Sequence, residues 1–237
     1  MARFACVATL VALAWIPIAV FAPATQDGGE DDWTREFFVD KSELTHTGRN
    51  PYFILEPGYQ LVLESKTVRL VITVLDETRK VDGVETRIVE EHESKAGKVI
   101  EVSRNFFAIS KRTNSVFYFG EEVDIYKDGQ LTGHAGAWLS GENGAKFGLM
   151  MPGEILLEGK HYQEIAPGEA MDRARIVSIS ETLQTPAGEF TNVLKVEETT
   201  PLEADELEYK YYARGIGLLQ DESLKLVEYG KLGRERK

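Results

Sequence analysis

The chain has 237 residues, with 27 Lys and Arg against 39 Asp and Glu, a net charge of −12, and one cysteine. That balance excludes the basic patches by which proteins hold nucleic acid or anionic membrane surfaces. The lone Cys6 leaves no disulfide framework, so stability has to come from a buried core.

Arg3 gives a short positive start, and Phe4 to Phe21 is apolar apart from Thr9. Ala22-Pro23-Ala24 then offers a small-x-small cleavage site ahead of Asp27, Glu30, Asp31 and Asp32. Residues 1–24 therefore read as a secretory signal peptide cleaved near Ala24, with export to a periplasm or the exterior. A retained anchor is the competing reading, because the apolar run approaches the roughly 18–20 residues that cross a bilayer. Cleavage removes Cys6 and Arg3, which excludes thiol catalysis, takes the net charge to −13 and leaves no later stretch apolar enough to span a membrane.

Residues 25–44 read as an acidic linker followed by one short helix that carries Trp33, Phe37, Phe38 and Leu44. Gly48, Asn50-Pro51 and Glu56-Pro57-Gly58 mark turns. From Tyr59 to Trp138 runs of Val, Ile, Phe and Tyr alternate with Asp82-Gly83, Ala96-Gly97, Thr113-Asn114 and Asp128-Gly129. Such dipeptides accept the positive φ angles that match strand twist, so they write a ladder of antiparallel hairpins. Residues 136–168 are rich in glycine and proline, and the Gly141–Gly153 part reads as a flap. Strands resume at 171–183, 190–199, 206–213 and 218–229, and residues 231–237 form a charged tail. The fold expected is all-β: one domain over residues 45–230, an antiparallel meander of about ten strands, curved or barrel-like.

Strand faces alternate with period two, so register decides which side chains meet. In the strand after Asp82-Gly83, Val84, Thr86, Ile88, Glu90 and His92 read as the inner face, and Glu85, Arg87, Val89, Glu91 and Glu93 as the solvated one. A two-residue turn sets Val81 opposite Val84 and Glu77 opposite Ile88. A three-residue loop at Ala96-Gly97-Lys98 sets Glu90 opposite Arg104 and Ile88 opposite Phe106. A two-residue Thr113-Asn114 turn then sets Phe106 opposite Glu121 and Arg104 opposite Val123, and the last turn sets Val123 opposite His134. These registers gather Glu77, Glu90, Arg104, Glu121 and His134 into a polar band on an apolar face, and Trp138 joins them as the candidate ligand-binding set.

Three readings of the band stay open. It is a structural ion-pair network or a slipped register, a small-molecule pocket with apolar walls and a few polar groups, or a carboxylate pair for hydrolysis of a polysaccharide or ester. No cofactor motif is present. The four histidines lack zinc spacing, and Ser140 has no nucleophile elbow. The Gly141–Gly153 loop has no phosphate-binding Lys-Ser/Thr, and strand alternation splits Glu121, Glu122 and Asp124 between faces, which rules out a calcium loop. Leu207, Tyr209 and Tyr211 share a face, read as core, with an aromatic ligand platform as the alternative.

Asn50-Pro51-Tyr52-Phe53 with Glu56-Pro57-Gly58, Tyr162 to Gly168, and Tyr209 to Leu218 resemble an uncharacterised group of secreted bacterial β-rich proteins over residues 45–230. The Tyr211-Tyr212-Ala213-Arg214-Gly215-Ile216-Gly217 ending is similar, more loosely, to envelope proteins shaped like lipoprotein carriers, half-open barrels that hold an acyl chain. The resemblance implies an exported, non-enzymatic binding protein of the bacterial envelope, with lipid or another small apolar molecule as partner. A structural envelope protein without a ligand is the remaining alternative.

Overall fold

A computed structural model describes residues 32–233. The signal peptide, most of the acidic linker and the end of the charged tail lie outside the described residues. The strands in chain order are β1 (Leu44–Thr45), β2 (Gly48–Asn50), β3 (Phe53–Leu55), β4 (Tyr59–Glu64), β5 (Val68–Val81), β6 (Val84–Lys95), β7 (Lys98–Ser110), β8 (Val116–Lys127) and β9 (Gln130–Gly133). There follow β10 (Trp138–Leu139), β11 (Lys146–Met151), β12 (Lys160–Tyr162), β13 (Glu164–Ile165), β14 (Arg173–Thr185), β15 (Gly188–Thr200), β16 (Glu203–Ala213), β17 (Gly217–Asp221) and β18 (Leu224–Lys231).

The sheet runs β12-β14-β15-β16-β17-β18-β4-β5-β6-β7-β8-β11-β13. Its two ends, β12 and β13, are separated in the chain by Gln163 alone, so the thirteen-strand path comes back on itself and the sheet is nearly closed as a barrel. Closure removes most of the unpaired edge that a sheet this wide would expose. The glycine-rich stretch does the closing and is wall, not flap. β11 pairs with β8 on one side and β13 on the other. Gly148 permits this close approach, since a Cβ there would sit 2.3 Å from the Gln163 carbonyl oxygen. This segment and the division of the last strand into β17 and β18 raise the strand number above the ten expected.

Two apolar layers form. The inner one fills much of the barrel and contains Leu55, Leu63, Leu194, Leu219 and Leu226, all fully buried. The outer one, with Ile88, Phe106, Phe117 and Phe119, lies on the opposite face of β6 to β8 and is covered by Phe37, Val39, Leu44 and Phe147. Removing each of these large side chains from water contributes about 1.5–3 kcal/mol, which explains why residues 33–44 lie down as a strap.

The strap is not the expected helix. Thr34 N–H donates to the Lys160 carbonyl (3.1 Å), and Tyr162 N–H donates to the Thr34 carbonyl (3.0 Å). This pairing along the free edge of β12 holds the backbone extended. Its apolar residues go to separate places. Trp33 meets the Tyr162 ring edge-on with the Arg173 guanidinium over its face, Phe37 meets Phe117, and Phe38 is 95% exposed. Only Lys41–Glu43 turns, as a single 3-10 turn capped by the Asp40 side chain.

Candidate functional site: the barrel lumen

Three of the four central turns have two residues, with positive φ at Asp82, Ala96 and Asp128 and at the glycine after each. Val81 faces Val84, Glu90 faces Arg104, and Ile88 faces Phe106, as the sequence predicts. The hairpin at Ala96-Gly97 pairs Lys95 with Lys98, and a bulge after Glu93 restores the expected register further along.

Two irregularities break up the predicted band. In β5, three residues (Leu75, Asp76 and Glu77) stand against one in β6, so Glu77 lies exposed in a bulge and offers only its carbonyl to Arg87. Between β7 and β8 the loop holds four residues, because Ser110 N–H bonds to the Ser115 carbonyl and Asn114 N–H to the Ser110 carbonyl. A bulge at Phe119-Gly120 follows, pairing Arg104 with Glu122 and Asn105 with Glu121. A one-residue shift moves a side chain to the other face, so Glu121 parts from Arg104. Gly120 makes the bulge possible: its φ is +137°, and a Cβ would come within 2.4 Å of the Trp138 carbonyl oxygen.

The predicted set therefore falls into two groups, and the face read as inner is the outer one. Outside, Glu90 bonds Arg104 (3.2 Å) and His92 (2.9 Å), while Asp124 joins Arg104 (3.3 Å) to His134 (3.1 Å). Arg104 and His134 keep 36% and 62% of their side-chain surface exposed, so this is a wet network worth little to stability. Glu121 and Trp138 face the lumen, directly opposite each other in the β8–β10 pair.

The lumen has a polar half, of which sequence reasoning assigned Glu91 and Glu93 to solvent. β16 presents Glu208, Lys210 and Tyr212 inward, and Tyr209 and Tyr211 outward, where Lys195 lies over the Tyr209 ring at 3.9 Å. Tyr209 and the exposed Leu207 are therefore not core, whereas the half-buried Tyr211 packs against the core cluster. Lys210 Nζ lies 2.6 Å from Glu198 and 3.8 Å from Asp221. Burial alone would lower the Lys210 pKa, but these two carboxylates overcome that and hold it well above its ordinary value. Gln163 donates to the other Glu198 oxygen at 3.0 Å.

Around this lysine the carboxyls are pushed toward their neutral form. Burial raises Glu91 and Glu121 to about 7 each; Lys210 partly offsets it for Glu91, and a Tyr118 hydrogen bond does so for Glu121. Glu164, which accepts from Trp138 Nε1 at 2.8 Å, is held well above the carboxylate range by burial and by Asp172. Burial also raises Glu93, Glu101 and Asp221. His161, enclosed beside them, is pushed down to about 4 by burial and so is neutral. One largely buried lysine amid many carboxyls makes a net-acidic environment.

A cavity of about 120 Å³ joins this half to the apolar one. Leu61, Ile72, Val74, Val89, Phe107 and Met150 wall its apolar end, and Glu91, Lys210 and Asp221 its polar end. Glu91 makes no hydrogen bond and no close ion pair among the described residues; Lys210 acts on it only through space. Glu91 is half-buried and lines this cavity.

The chain matches no protein-family model, no curated protein and no solved structure.

Sequence reasoning missed Lys210, Glu91, Glu198 and Asp221. Alternation did carry a signal: Lys210 shares a face with Tyr212, and Glu91 shares one with Val89. Among the described residues no cluster has the geometry of a metal site.

Proposed function

We propose that this is an exported binding protein of the bacterial envelope that holds a small amphipathic molecule inside the barrel, without chemistry. The observation that carries the reading is the lumen cavity, with a continuous apolar wall at one end and charged groups at the other. Convergent polar groups on an otherwise apolar concave surface are the usual make-up of a small-molecule site. Size narrows the occupant. About 120 Å³ is below the roughly 300 Å³ at which drug-sized pockets begin, and it is near the roughly 150 Å³ that accepts a benzene ring. An acyl chain does not fit without repacking, so the partner is a compact molecule and not a lipid. Export rests on the apolar leader and its cleavage pattern.

Met150 supplies the test, because it lines the cavity and carries a methyl group that can be labelled. Titrating methyl-labelled protein with isopentanol should shift the Met150 resonance saturably, and Ile72→Phe, which fills the apolar end, should abolish the shift. No shift with either isopentanol or isopentylamine, or a shift that survives Ile72→Phe, refutes the reading.

A further inference from the structure

We infer that the molecule held in the lumen is a small organic cation, an alkylammonium or similar amine, whose charged head sits on Glu91 while its hydrocarbon body fills the apolar end. This rests on the lumen being a binding site, and it adds the chemical class of the head group.

The charges already present decide the class. Lys210 is the cation that faces the cavity, and Glu198 at 2.6 Å and Asp221 at 3.8 Å already hold it. An anionic ligand would have to displace one of them and sit beside Glu91, in the negative field of Glu93, Glu101 and Glu121. Glu91 is in the opposite condition. It lies on the inner face of β6, lines the cavity, and makes no hydrogen bond or close ion pair among the described residues. A carboxylate drawn largely out of water without a partner is costly. An ammonium group carried in by a ligand supplies both the charge and the donors, as a charge-assisted hydrogen bond. The charged groups that act on Glu91 are Lys210 from β16, Asp221 from β17, Glu101 from β7, Glu121 from β8 and Glu93 from its own strand. Four of these five favour a cation. The apolar wall of Leu61, Ile72, Val74 and Phe107 then sets the body: compact, uncharged and about the size of a benzene ring.

Burial holds the free Glu91 carboxyl at about 7, so near neutral pH an arriving cation converts it to the carboxylate and releases a proton. That release is a signature which apolar burial alone does not produce.

The experiment compares isopentylamine, isopentanol and isovalerate, which share one hydrocarbon body and differ in head-group charge. Binding to the purified protein is followed by calorimetry in two buffers of different ionisation enthalpy, with the Met150 methyl resonance as a second readout. At pH 8 the amine should bind at least about tenfold tighter than the alcohol, as a charge-assisted contact does over a neutral one. Isovalerate should not bind, and amine binding at pH 7 should release protons. Glu91→Gln should remove the amine's preference while leaving isopentanol binding in place. The inference is overturned if isopentanol or isovalerate binds as tightly as the amine, if amine binding releases no proton, or if Glu91→Gln keeps the preference. In each of those outcomes the lumen is still a binding site. If none of the three probes binds, the binding reading itself falls, and this inference with it. The comparison of probes on the unmodified protein is decisive even if Glu91→Gln fails to fold.

Discussion

Glu121 and Glu122 are neighbours in β8, yet one faces the lumen and the other faces water beside Arg79. Replacing each by glutamine therefore tests the assignment of faces. Glu121 titrates at about 7 in the barrel, chiefly through burial, against an ordinary value of 4.5. Between those values the folded state keeps a proton that the unfolded chain has released. The stabilisation is thus complete below about pH 4.5 and is lost as the pH rises through 7. Integrating that linkage from pH 5 to pH 8 gives a loss of about 2–3 kcal/mol for this one group. Glutamine has no proton to lose. Glu121→Gln should match the wild type near pH 5 and exceed it by about 2–3 kcal/mol at pH 8, or by roughly 5–10 °C in Tm for a domain of this size. Relief of Glu91, which Glu121 repels, adds in the same direction. His161 titrates with the opposite sign, being buried neutral, but it is common to both proteins and cancels in the comparison. Urea melts at the two pH values measure the difference. Glu122→Gln should leave the pH profile unchanged. Parallel profiles for wild type and Glu121→Gln, or a pH-dependent gain for Glu122→Gln, would falsify the placement of Glu121 inside the barrel.

Lys210→Met leaves Glu198 and Asp221 enclosed without their cation, so it should cost about 3–5 kcal/mol at pH 8 and less at pH 5, toward which burial raises the Asp221 carboxyl; denaturant melts at both pH values check this. Gly120→Ala forces a Cβ against the Trp138 carbonyl at a positive φ, and a loss of about 2–3 kcal/mol is expected in thermal melts. Trp33→Ala frees the strap from Tyr162 and Arg173: proteolysis and hydrogen exchange over residues 33–40 should quicken, while the barrel loses no more than about 2 kcal/mol. Arg104→Met breaks the outer network, and calorimetry should find less than about 1 kcal/mol of stability lost and no change in ligand binding.

The strand class and the antiparallel ladder could be read from residues 59–138, because Asp-Gly and Ala-Gly turns dictate their own geometry, and a curved or barrel-like sheet from the number of consecutive strands along the whole domain. Inside and outside could not. Ile88, Phe106, Phe117 and Phe119 make the outer face of β6 to β8 look like a core, and it is one, since the strap covers it. The lumen face of the same strands alternates Val89 with Glu91 and Glu93, which is how a solvated face reads. Period two tells the faces apart without saying which is enclosed; that depends on where residues 33–44 lie and on how β11 to β13 close the ring. The Thr113-Asn114 turn misled for a smaller reason: Asn114 alone takes a positive φ, and Ser110 closes a longer loop around it. Gly120, a lone glycine inside a strong strand pattern, was the available warning of a bulge.

The polar half of the lumen is what a barrel built only for stability would leave out. The apolar half fills the same kind of space with Leu63, Leu219 and Leu226, each fully buried, and gains from every one. Carboxyls that must stay protonated up to about pH 7 contribute nothing comparable, and their ionisation above that pH works against the fold. Replacing buried ionic groups by apolar ones of similar shape is often neutral or stabilising, so swapping the Lys210–Glu198–Asp221 cluster for aliphatic side chains is open to this sequence on energetic grounds. Local rules that are broken at a stability cost tend to be broken at functional sites. Here the breach reaches the polar end of the cavity, and Glu91, which has no partner there among the described residues, is the one left free to pair with a bound molecule.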